Sequence, residues 1–411
     1  MTQERLASSA HATGPLAGRV IVLGITGSIA AYKAAGLAST LTQMGAEVHV
    51  ILTEAATRFV TPLTFQALTH RPVHTDLWAP DPATGVPHIE LAERAEVLVV
   101  APATAATIAR LAQGLAEDFL TCVALATQAP LVVAPAMDGG MFEHPATQAN
   151  LAVLRSRGAL VVEPEVGHLA SGLTGRGRLA AEERIIAAIR QVLGRRGPLA
   201  GVRVVVTAGG TREPIDPVRF IGNRSSGKMG YALAEAARDR GAEVTLITAP
   251  TALPAPEGVH VVQVERAREM QRAVIEACAN ADVLLMAAAV ADYRPAEEAP
   301  QKIKKTGQEL TIRLVENPDI LKELPRGRLK VKAGFAAESE DLLANAARKL
   351  EAKDLDLIVA NDITAPDSGF GTDTNTVTLL FRDGRQVPLP NLPKREVAER
   401  ILDAVQELLQ R

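Results

Sequence analysis

Short β-branched runs that are apolar at consecutive positions recur along the chain: Val20 to Gly24, Val50 to Thr53, Val97 to Ala101, Val202 to Thr207 and Leu246 to Thr248. A strand with one solvated face alternates apolar and polar residues, whereas these runs are apolar on both faces and fit strands buried between two helical layers. Each is followed by a polar or glycine-rich turn and a helical segment, and an amphipathic helix is predicted from Ala181 to Leu193. Strand, turn, helix, strand in succession predicts doubly wound parallel sheets with right-handed crossovers, in which ligands sit beyond the carboxyl ends of the strands. The longest uncharged stretch, Phe119 to Met137, is interrupted by Pro130 and Pro135 and reads as buried helix, turn and strand, not as a membrane span.

The pattern occurs twice. Gly14-Pro-Leu-Ala-Gly18 before the first strand returns as Gly197-Pro-Leu-Ala-Gly201, and Gly45-Ala-Glu-Val48 returns as Gly241-Ala-Glu-Val244. Ala95-Glu-Val-Leu-Val-Val-Ala101 is echoed by Ala281-Asp-Val-Leu-Leu-Met-Ala287, in the same order. The fold class expected is therefore α/β: two tandem doubly wound, mainly parallel Rossmann-like three-layer domains. Residues 1–15 are expected to form a flexible tail, 16–193 the first domain, 194–200 a linker around Gly194-Arg-Arg-Gly197-Pro198, and 201–411 the second domain.

Composition narrows the function classes. With 411 residues, 47% hydrophobic and 22% charged, the chain is too large for a disulfide scaffold and too apolar for global disorder. Its 44 basic and 47 acidic residues give a net charge of -3, so no bulk positive field attracts nucleic acid or anionic lipid, and neither is expected as a partner. Glu4 and Arg5 stand near the start and no apolar signal-peptide core follows, which predicts a cytoplasmic protein. Cys122 and Cys278 lack metal-ligand spacing and are expected as buried core thiols.

Chemistry is sought first after the opening strand. Gly24-Ile-Thr-Gly27-Ser28-Ile-Ala-Ala-Tyr-Lys33 opens into a helix whose free N–H groups suit a phosphate, although a Gly-Ser cap is also an ordinary helix start. The spacing is not Gly-x-Gly-x-x-Gly, yet Glu54 at the end of the next strand leaves a nicotinamide dinucleotide open. His88, in His88-Ile-Glu-Leu-Ala, is an available general base or an ordinary core or surface histidine, while His70 and His74, separated by Pro72, read as structural. Pro102-Ala-Thr-Ala-Ala106, Ala134-Pro-Ala-Met-Asp138-Gly-Gly-Met141 and Gly167-His-Leu-Ala-Ser171-Gly place further polar or glycine-rich loops after strands.

In order and spacing these motifs resemble the FMN-dependent phosphopantothenoylcysteine decarboxylases. The resemblance implies an FMN site around Gly27, Ser28 and Ile29 with Thr53, Ala103 and Thr104, and His88 as a catalytic acid/base. It implies a flavin that oxidises the cysteine side chain to a thioaldehyde, lets carbon dioxide leave and then returns the electrons. Two positions depart from the commoner family pattern, with Asp138 where many relatives have Asn and Ser171 where they have Cys. An ionised Asp138 would repel a substrate carboxylate, so it is expected either protonated or turned elsewhere. A serine hydroxyl is also a far weaker acid than a thiol, so the last reductive step is expected to draw on water or another donor.

In the second half Gly222 to Lys228 fits Gly-x-x-x-x-Gly-Lys, but Met229 stands where a P-loop needs a metal-binding hydroxyl. Ala287-Ala-Ala-Val-Ala-Asp292 ends an apolar run in one carboxylate, suited equally to a helix cap and to the exocyclic amine of a base. Lys302-Ile-Lys304-Lys305 precedes an alternating strand predicted from Leu310 to Val315 and reads as a solvated face or as a flap over phosphates. Lys349 and Lys353 are expected as a cationic pair on one helix face.

Asp-Pro-Val-Arg-Phe-Ile-x-Asn-x-Ser-Ser-Gly-Lys-Met-Gly, Ala-Ala-Val-Ala-Asp-Tyr, Lys-Ile-Lys-Lys, Asn-Pro-Asp-Ile-Leu and Gly-Phe-Ala-Ala-Glu together resemble the CTP-dependent phosphopantothenate–cysteine ligases. The resemblance implies that Asp292 and the backbone near Ala288 read cytosine, with Pro318, Asp319, Ile320, Leu321 and Phe335 beside the nucleotide. Lys349 and Lys353 would hold the triphosphate, Asn223 would orient an acyl-cytidylate, and Lys302 would neutralise charge as cysteine attacks. Mg²⁺ follows from the triphosphate, its ligands unknown. The two resemblances cover residues 16 to 411 and imply a bifunctional enzyme of coenzyme A biosynthesis acting on 4′-phosphopantothenate, L-cysteine and CTP. They also imply a homo-oligomer with flavin sites at subunit interfaces. A nicotinamide-dependent reductase and a flavin-binding regulatory subunit without activity are the competing readings.

Overall fold

A computed structural model of the chain describes residues 15–78, 86–305, 307, 309–338, 342–362, 369 and 371–411. Nearly all of the expected tail thus lies outside the described residues. The chain divides into two compact units, one ending at Leu193 and the other beginning at Gly194.

In the first unit β1 (Val20–Ile25), β2 (Glu47–Leu52), β3 (Val73–His74), β4 (Val97–Ala103), β5 (Leu131–Pro135) and β6 (Leu160–Val161) form a parallel sheet in the order β3-β2-β1-β4-β5-β6. The hairpin β7 (Glu165–His168) and β8 (Thr174–Arg178) stands outside it. Strand periodicity divides the core between the two faces of the sheet. Ile21, Leu23 and Ile25 pack with Leu37 and Leu41 of helix Lys33–Gln43 and with Ile185 and Ile189 of helix Glu182–Gly194. Val22, Leu98 and Val100 pack on the other face with Ile108, Phe119 and Leu120. The stretch from Phe119 to Met137 resolves into helix Phe119–Ala126 and β5, and among the described residues no helix is long and apolar enough to cross a membrane.

The second unit contains β9 (Arg203–Ala208), β10 (Arg212–Pro214), β11 (Phe220–Gly222), β12 (Glu243–Thr248), β13 (His260–Gln263) and β14 (Val283–Met286). These are followed by β15 (Tyr293–Pro295), β16 (Leu314–Glu316), β17 (Val331–Glu338), β18 (Leu357–Asp362), β19 (Thr374–Phe381) and β20 (Gln386–Pro393). The main sheet runs β13-β12-β9-β14-β17-β18-β19-β20 and is parallel except for β19 and β20. Two small hairpins, β10 with β11 and β15 with β16, lie outside it. The strand expected from Leu310 to Val315 is confined to Leu314–Glu316, because its partner β15 offers only Tyr293 to Pro295 for pairing.

The repeated motifs occupy equivalent places. Leu16 and Leu199 are both buried, and their carbonyls accept the N–H groups of Arg19 and Val202 in turns leading into the two central strands. Glu96 accepts the N–H of Val20 at 2.8 Å, and Asp282 accepts that of Arg203 at 3.0 Å, so each echoed carboxylate tethers the start of a central strand. Gly45 and Gly241 have φ of 82° and 92°, a left-handed turn before β2 and β12 that explains glycine at both positions. The cysteines differ from expectation in one respect. Cys278 is buried, which pushes its thiol up to about 12, but Cys122 is only half-buried and faces the carbonyl of Ala116 near the end of a loop.

Candidate active sites

The first site lies where the strand order reverses between β1 and β4, so that the turns after them diverge into a crevice. Thr26 ties the turns together: its hydroxyl donates to the carbonyl of Pro102 at 2.7 Å and accepts the N–H of Thr104 at 3.0 Å. The Ser28 hydroxyl accepts the N–H of Ala30 and donates to the carbonyl of Ala136 beyond β5 at 3.1 Å. Thr104 caps helix Ala105–Gln113. These polar caps open on a cavity of about 520 Å³ whose lining includes Gly27, Ser28, Ile29, Thr104, Met137, Asp138, Met141, His168 and Ser171.

The hairpin of β7 and β8 forms one wall of this cavity. It docks through the N–H of Met137, which donates to the carbonyl of Gly177 at 2.9 Å, and a Cβ on Gly177 would stand 2.2 Å from the carbonyl oxygen of Met137. Only glycine permits that approach. The docked hairpin brings Ser171 over Asp138, and its hydroxyl donates to Oδ2 at 2.7 Å while Oδ1 accepts the N–H of Gly140 at 3.0 Å. The Ser171 bond, aided by that of Gly140, holds the Asp138 carboxyl below its usual range. Asp138 is thus directed at the Ser171 hydroxyl and the Gly140 N–H.

The remaining residues expected around FMN lie apart from this lining. Thr53 caps helix Glu54–Thr57 and is buried under the end of β1, and Ala103 is buried within β4. The ring of His88, on helix Pro87–Arg94, stands nearly perpendicular to that of Phe119 at 6.2 Å between centroids, and Phe119 also stacks with His74 at 4.6 Å. Tyr32, Lys33, Met141, His168 and Arg178 line the cavity without having been singled out from sequence. His168 had a legible signal, standing in the same glycine-rich motif as Ser171.

The second site repeats the geometry at the reversal between β9 and β14. The glycine turn after β9 zips to the alanine-rich loop after β14, with the Ala289 N–H donating to Gly209 O at 2.8 Å and the Thr211 N–H to Ala289 O at 3.2 Å. The buried hydroxyls of Thr207 and Thr211 accept the N–H groups of Ala288 and Ala291. Asn317 closes the far side by donating its side-chain amide to Ala291 O at 2.9 Å and its backbone N–H to Asp292 O at 2.8 Å.

The resulting cavity of about 480 Å³ collects Ala288, Asp292, Pro318, Asp319, Ile320, Leu321, Phe335, Lys349 and Lys353. Asp292 is exposed and leads into β15, so its side chain caps no helix. Lys349 is in helix Leu342–Ala352, but Lys353 lies just beyond its end and pairs with Asp319 at 3.0 Å. Small residues at Ala287 to Ala289 keep the floor open, and Phe335 supplies a flat apolar wall.

Two expected ligase residues stand outside this lining. The Asn223 side chain donates to the carbonyl of Ala289 at 3.2 Å. Lys302 is exposed, but its neighbour Ile303 is anchored: buried Asp216 accepts the Ile303 N–H at 3.1 Å, and Arg219 donates to the Ile303 carbonyl at 2.9 Å. The Arg219 guanidinium and nearby backbone N–H groups hold the Asp216 carboxyl far below its usual range. Lys228, the lysine of the apparent P-loop, pairs with Asp373 at 2.7 Å and donates to Gly371 O, while Met229 packs against the core. Among the described residues no group of three His, Cys, Asp or Glu side chains is placed to hold a metal ion.

Residues 9–194 match the Flavoprotein family, and residues 199–409 match the family described as DNA/pantothenate metabolism flavoprotein C-terminal domain. The chain is 45% identical over 394 residues to the coenzyme A biosynthesis bifunctional protein CoaBC of Bacillus subtilis (strain 168), covering 95% of this chain and 97% of the relative. Its counterpart in Mycobacterium bovis (strain ATCC BAA-935 / AF2122/97) is 47% identical over 403 residues, covering 94% and 96%. Among solved structures, the C-terminal domain of a coenzyme A biosynthesis bifunctional protein CoaBC is 44% identical and covers 52% of this chain and 98% of that one, with a TM-score of 0.45.

Proposed function

The chain belongs to the CoaBC family of bifunctional coenzyme A biosynthesis proteins, and on that premise we propose how its two cavities divide the chemistry. It is an enzyme with two activities, an FMN-dependent phosphopantothenoylcysteine decarboxylase in the first unit and a phosphopantothenate–cysteine ligase in the second. The observation that carries the division is the pair of switch-point cavities with unlike linings, with the Ser28 and Thr104 hydroxyls beside Ile29, Met137 and Met141 in the first unit and Asp292, Lys349 and Lys353 in the second.

The first cavity fits FMN in size and donor set. A volume of about 520 Å³ is ordinary for a cofactor pocket, and hydroxyls at Ser28 and Thr104 stand beside Ile29, Met137 and Met141. Gly27, Ser28 and Ile29 would hold the phosphate at the start of a helix, with Thr104 beside it and Thr53 and Ala103 supporting the turns from beneath. Bound there, FMN supplies two-electron redox chemistry that lets the cysteine carboxylate leave as carbon dioxide and then restores the thiol. His88 acts as acid/base from a second copy of the chain across a subunit boundary, in a homo-oligomer whose flavin sites are shared. Exposed Ile29, Tyr32, Phe59, Leu63 and Trp78 in the first unit favour such an assembly.

In the second cavity Asp292 and the backbone at Ala288 receive cytosine, with Pro318 to Leu321 and Phe335 flanking the nucleotide. Lys349 and Lys353 would hold the triphosphate, and Mg²⁺ carried with the nucleotide would offset its charge. A carboxylate resists attack by an amine until one oxygen becomes a leaving group, so 4′-phosphopantothenate is first joined to CMP and pyrophosphate departs. Asn223 orients this acyl-cytidylate and Lys302 neutralises developing charge as the cysteine amine displaces CMP. Mass spectrometry of products from phosphopantothenate, cysteine, CTP and Mg²⁺ tests the division. Lys302→Gln is expected to accumulate the acyl-cytidylate, and His88→Asn the cysteine conjugate. Protein that holds no FMN and ignores every ribonucleoside triphosphate would overturn it.

A further inference from the structure

The decarboxylase cavity contains a histidine to which no step has yet been given. His168 ends β7, three residues before Ser171 on the same hairpin, and lines the cavity together with Asp138 and Ser171. Loss of carbon dioxide leaves an electron pair shared between the carbon that carried the carboxylate and the sulfur, as an enethiolate. To regain the thiol, that carbon must take up a proton, and the two electrons withdrawn earlier must return with a hydrogen to the neighbouring carbon. The cavity therefore needs an acid that works near neutral pH.

Elimination within the described lining leaves few donors. The Ser171 and Gly140 bonds hold the Asp138 carboxyl below its usual range, so it has no proton to give near neutral pH. The Ser171 proton is directed at Asp138 Oδ2, and an alcohol is a weak acid. Ammonium, guanidinium and phenol groups, here Lys33, Arg178 and Tyr32, release protons readily only in alkaline water. Imidazole is the side chain suited to proton transfer between about pH 5 and 8. His88 is outside this lining within one copy, and as the acid/base brought from a second copy it acts before carbon dioxide leaves, the step at which His88→Asn is expected to stop.

We propose that His168 is the acid that protonates the decarboxylated carbon. The proposal rests on the reading of this cavity as the FMN decarboxylase site. An N–H bond of imidazolium breaks as the new C–H bond forms, giving a thioaldehyde. The two electrons taken from the substrate before decarboxylation then return as hydride from the reduced flavin to the thiocarbonyl carbon, the resulting thiolate takes a proton from water, and imidazole is reprotonated from water. Asp138 holds Ser171, and through it the hairpin, so that His168 faces the substrate; both are positioning residues in this step.

The test uses FMN-loaded full-length protein, chemically prepared 4′-phosphopantothenoylcysteine, and the His168→Gln and Ser171→Ala variants. His168→Gln is expected to release carbon dioxide in a single turnover, to form a product lighter by two hydrogens than the thiol, and to leave the flavin bleached. Steady turnover to the thiol should fall about 100-fold or more, the usual scale of general-acid catalysis. Ser171→Ala, which frees the hairpin from Asp138 but keeps the imidazole, should lower thiol turnover by less than His168→Gln does. Normal thiol turnover by His168→Gln, or release of the lighter product by Ser171→Ala alone, would overturn the proposal.

Should His168→Gln fail to retain FMN, the wild-type product ratio decides. The lighter product should gain as pH is raised, with Asp138, Tyr32, Lys33 and Arg178 the other charged or titratable groups lining the site. A ratio that does not change with pH would refute His168 as donor. Absence of carbon dioxide from the wild type would instead remove the reading of the site, and the donor with it.

Discussion

The buried ammonium of Lys332, on β17, donates to the carbonyl oxygen of Leu321 at 2.6 Å. Leu321 and its neighbours Asp319 and Ile320 line the ligase cavity, so a residue outside that cavity fixes one of its walls. Burial lowers the Lys332 pKa, the direction expected for an ammonium removed from water. A base whose folded pKa lies below its unfolded value makes charged folding costly at neutral pH, and that cost fades as pH rises through the folded value. Lys332→Met should therefore be tolerated by the fold while loosening the turn from Pro318 to Leu321. A hydrogen bond from a charged group contributes about 1.5–3 kcal/mol, so the KM for CTP is expected to rise by about 10-fold or more with kcat changed much less. Steady-state kinetics check this, and an unchanged KM would show that the turn holds itself.

The lysine segment is governed from a distance too. Asp216 and Arg219 grip the N–H and the carbonyl of Ile303 between Lys302 and Lys304. Asp216→Asn should lower kcat for ligation more than it weakens CTP binding, and hydrogen exchange should quicken at Ile303. The pH sign follows from the depressed carboxyl: its stabilisation is complete above the usual carboxylate range and is lost only as pH falls through the folded value. Between pH 5 and 8 the wild-type tether should be pH-independent. Exchange at Ile303 that accelerates already at pH 5 would contradict it.

The duplicated architecture was legible because the residues that enforce it are local and repeated. Leu16 and Leu199, Gly45 and Gly241, and Glu96 and Asp282 each meet a requirement of the backbone beside a central strand, and such requirements leave a sequence trace. The ligase nucleotide pocket was legible for a related reason. Most of its lining comes from three continuous segments, Met286–Tyr293, Glu316–Leu321 and the neighbourhood of Lys349 and Lys353. Relationships created by docking were hidden. The bond between Ser171 and Asp138 spans 33 residues and exists because Gly177 lets the hairpin close on Met137, which no periodicity reveals. Lys332 reads as an ordinary strand lysine until the carbonyl of Leu321 is placed above it.

The two thiols should react in a fixed order. Cys278 is buried with its thiol pushed up to about 12, mainly by burial, so the nucleophilic thiolate is scarce below that pH. Cys122 is half-buried, and its thiol is raised by burial and by the Asp118 carboxylate. Alkylation of native protein at pH 8, followed by peptide mass spectrometry, should label Cys122 slowly and Cys278 only after unfolding. Equal labelling of both in the folded state would show that the core around Cys278 opens readily.

The contact between Asp138 and Ser171 makes a prediction that separates electrostatics from positioning. The Ser171 hydroxyl is the largest cause of Asp138's lowered pKa, with the Gly140 N–H second. Ser171→Ala should therefore move the Asp138 titration upward toward the ordinary carboxylate range, as carboxyl-carbon NMR would report, and leave the charge at pH 7 unchanged. The stabilisation from this bond is present above the usual Asp pKa and disappears as pH falls through the lowered one, so the variant and the wild type should converge in stability in acid. Asp138→Asn removes the charge but keeps the shape and the cap to Gly140, and an amide no longer repels a substrate carboxylate. The conjugate should bind severalfold more tightly to Asp138→Asn than to the wild type, and high salt should narrow the difference by screening the wild-type repulsion. If the amide variant instead binds more weakly at every ionic strength, the carboxylate's hold on the hairpin outweighs its charge, and Asp138 acts on the substrate only through Ser171.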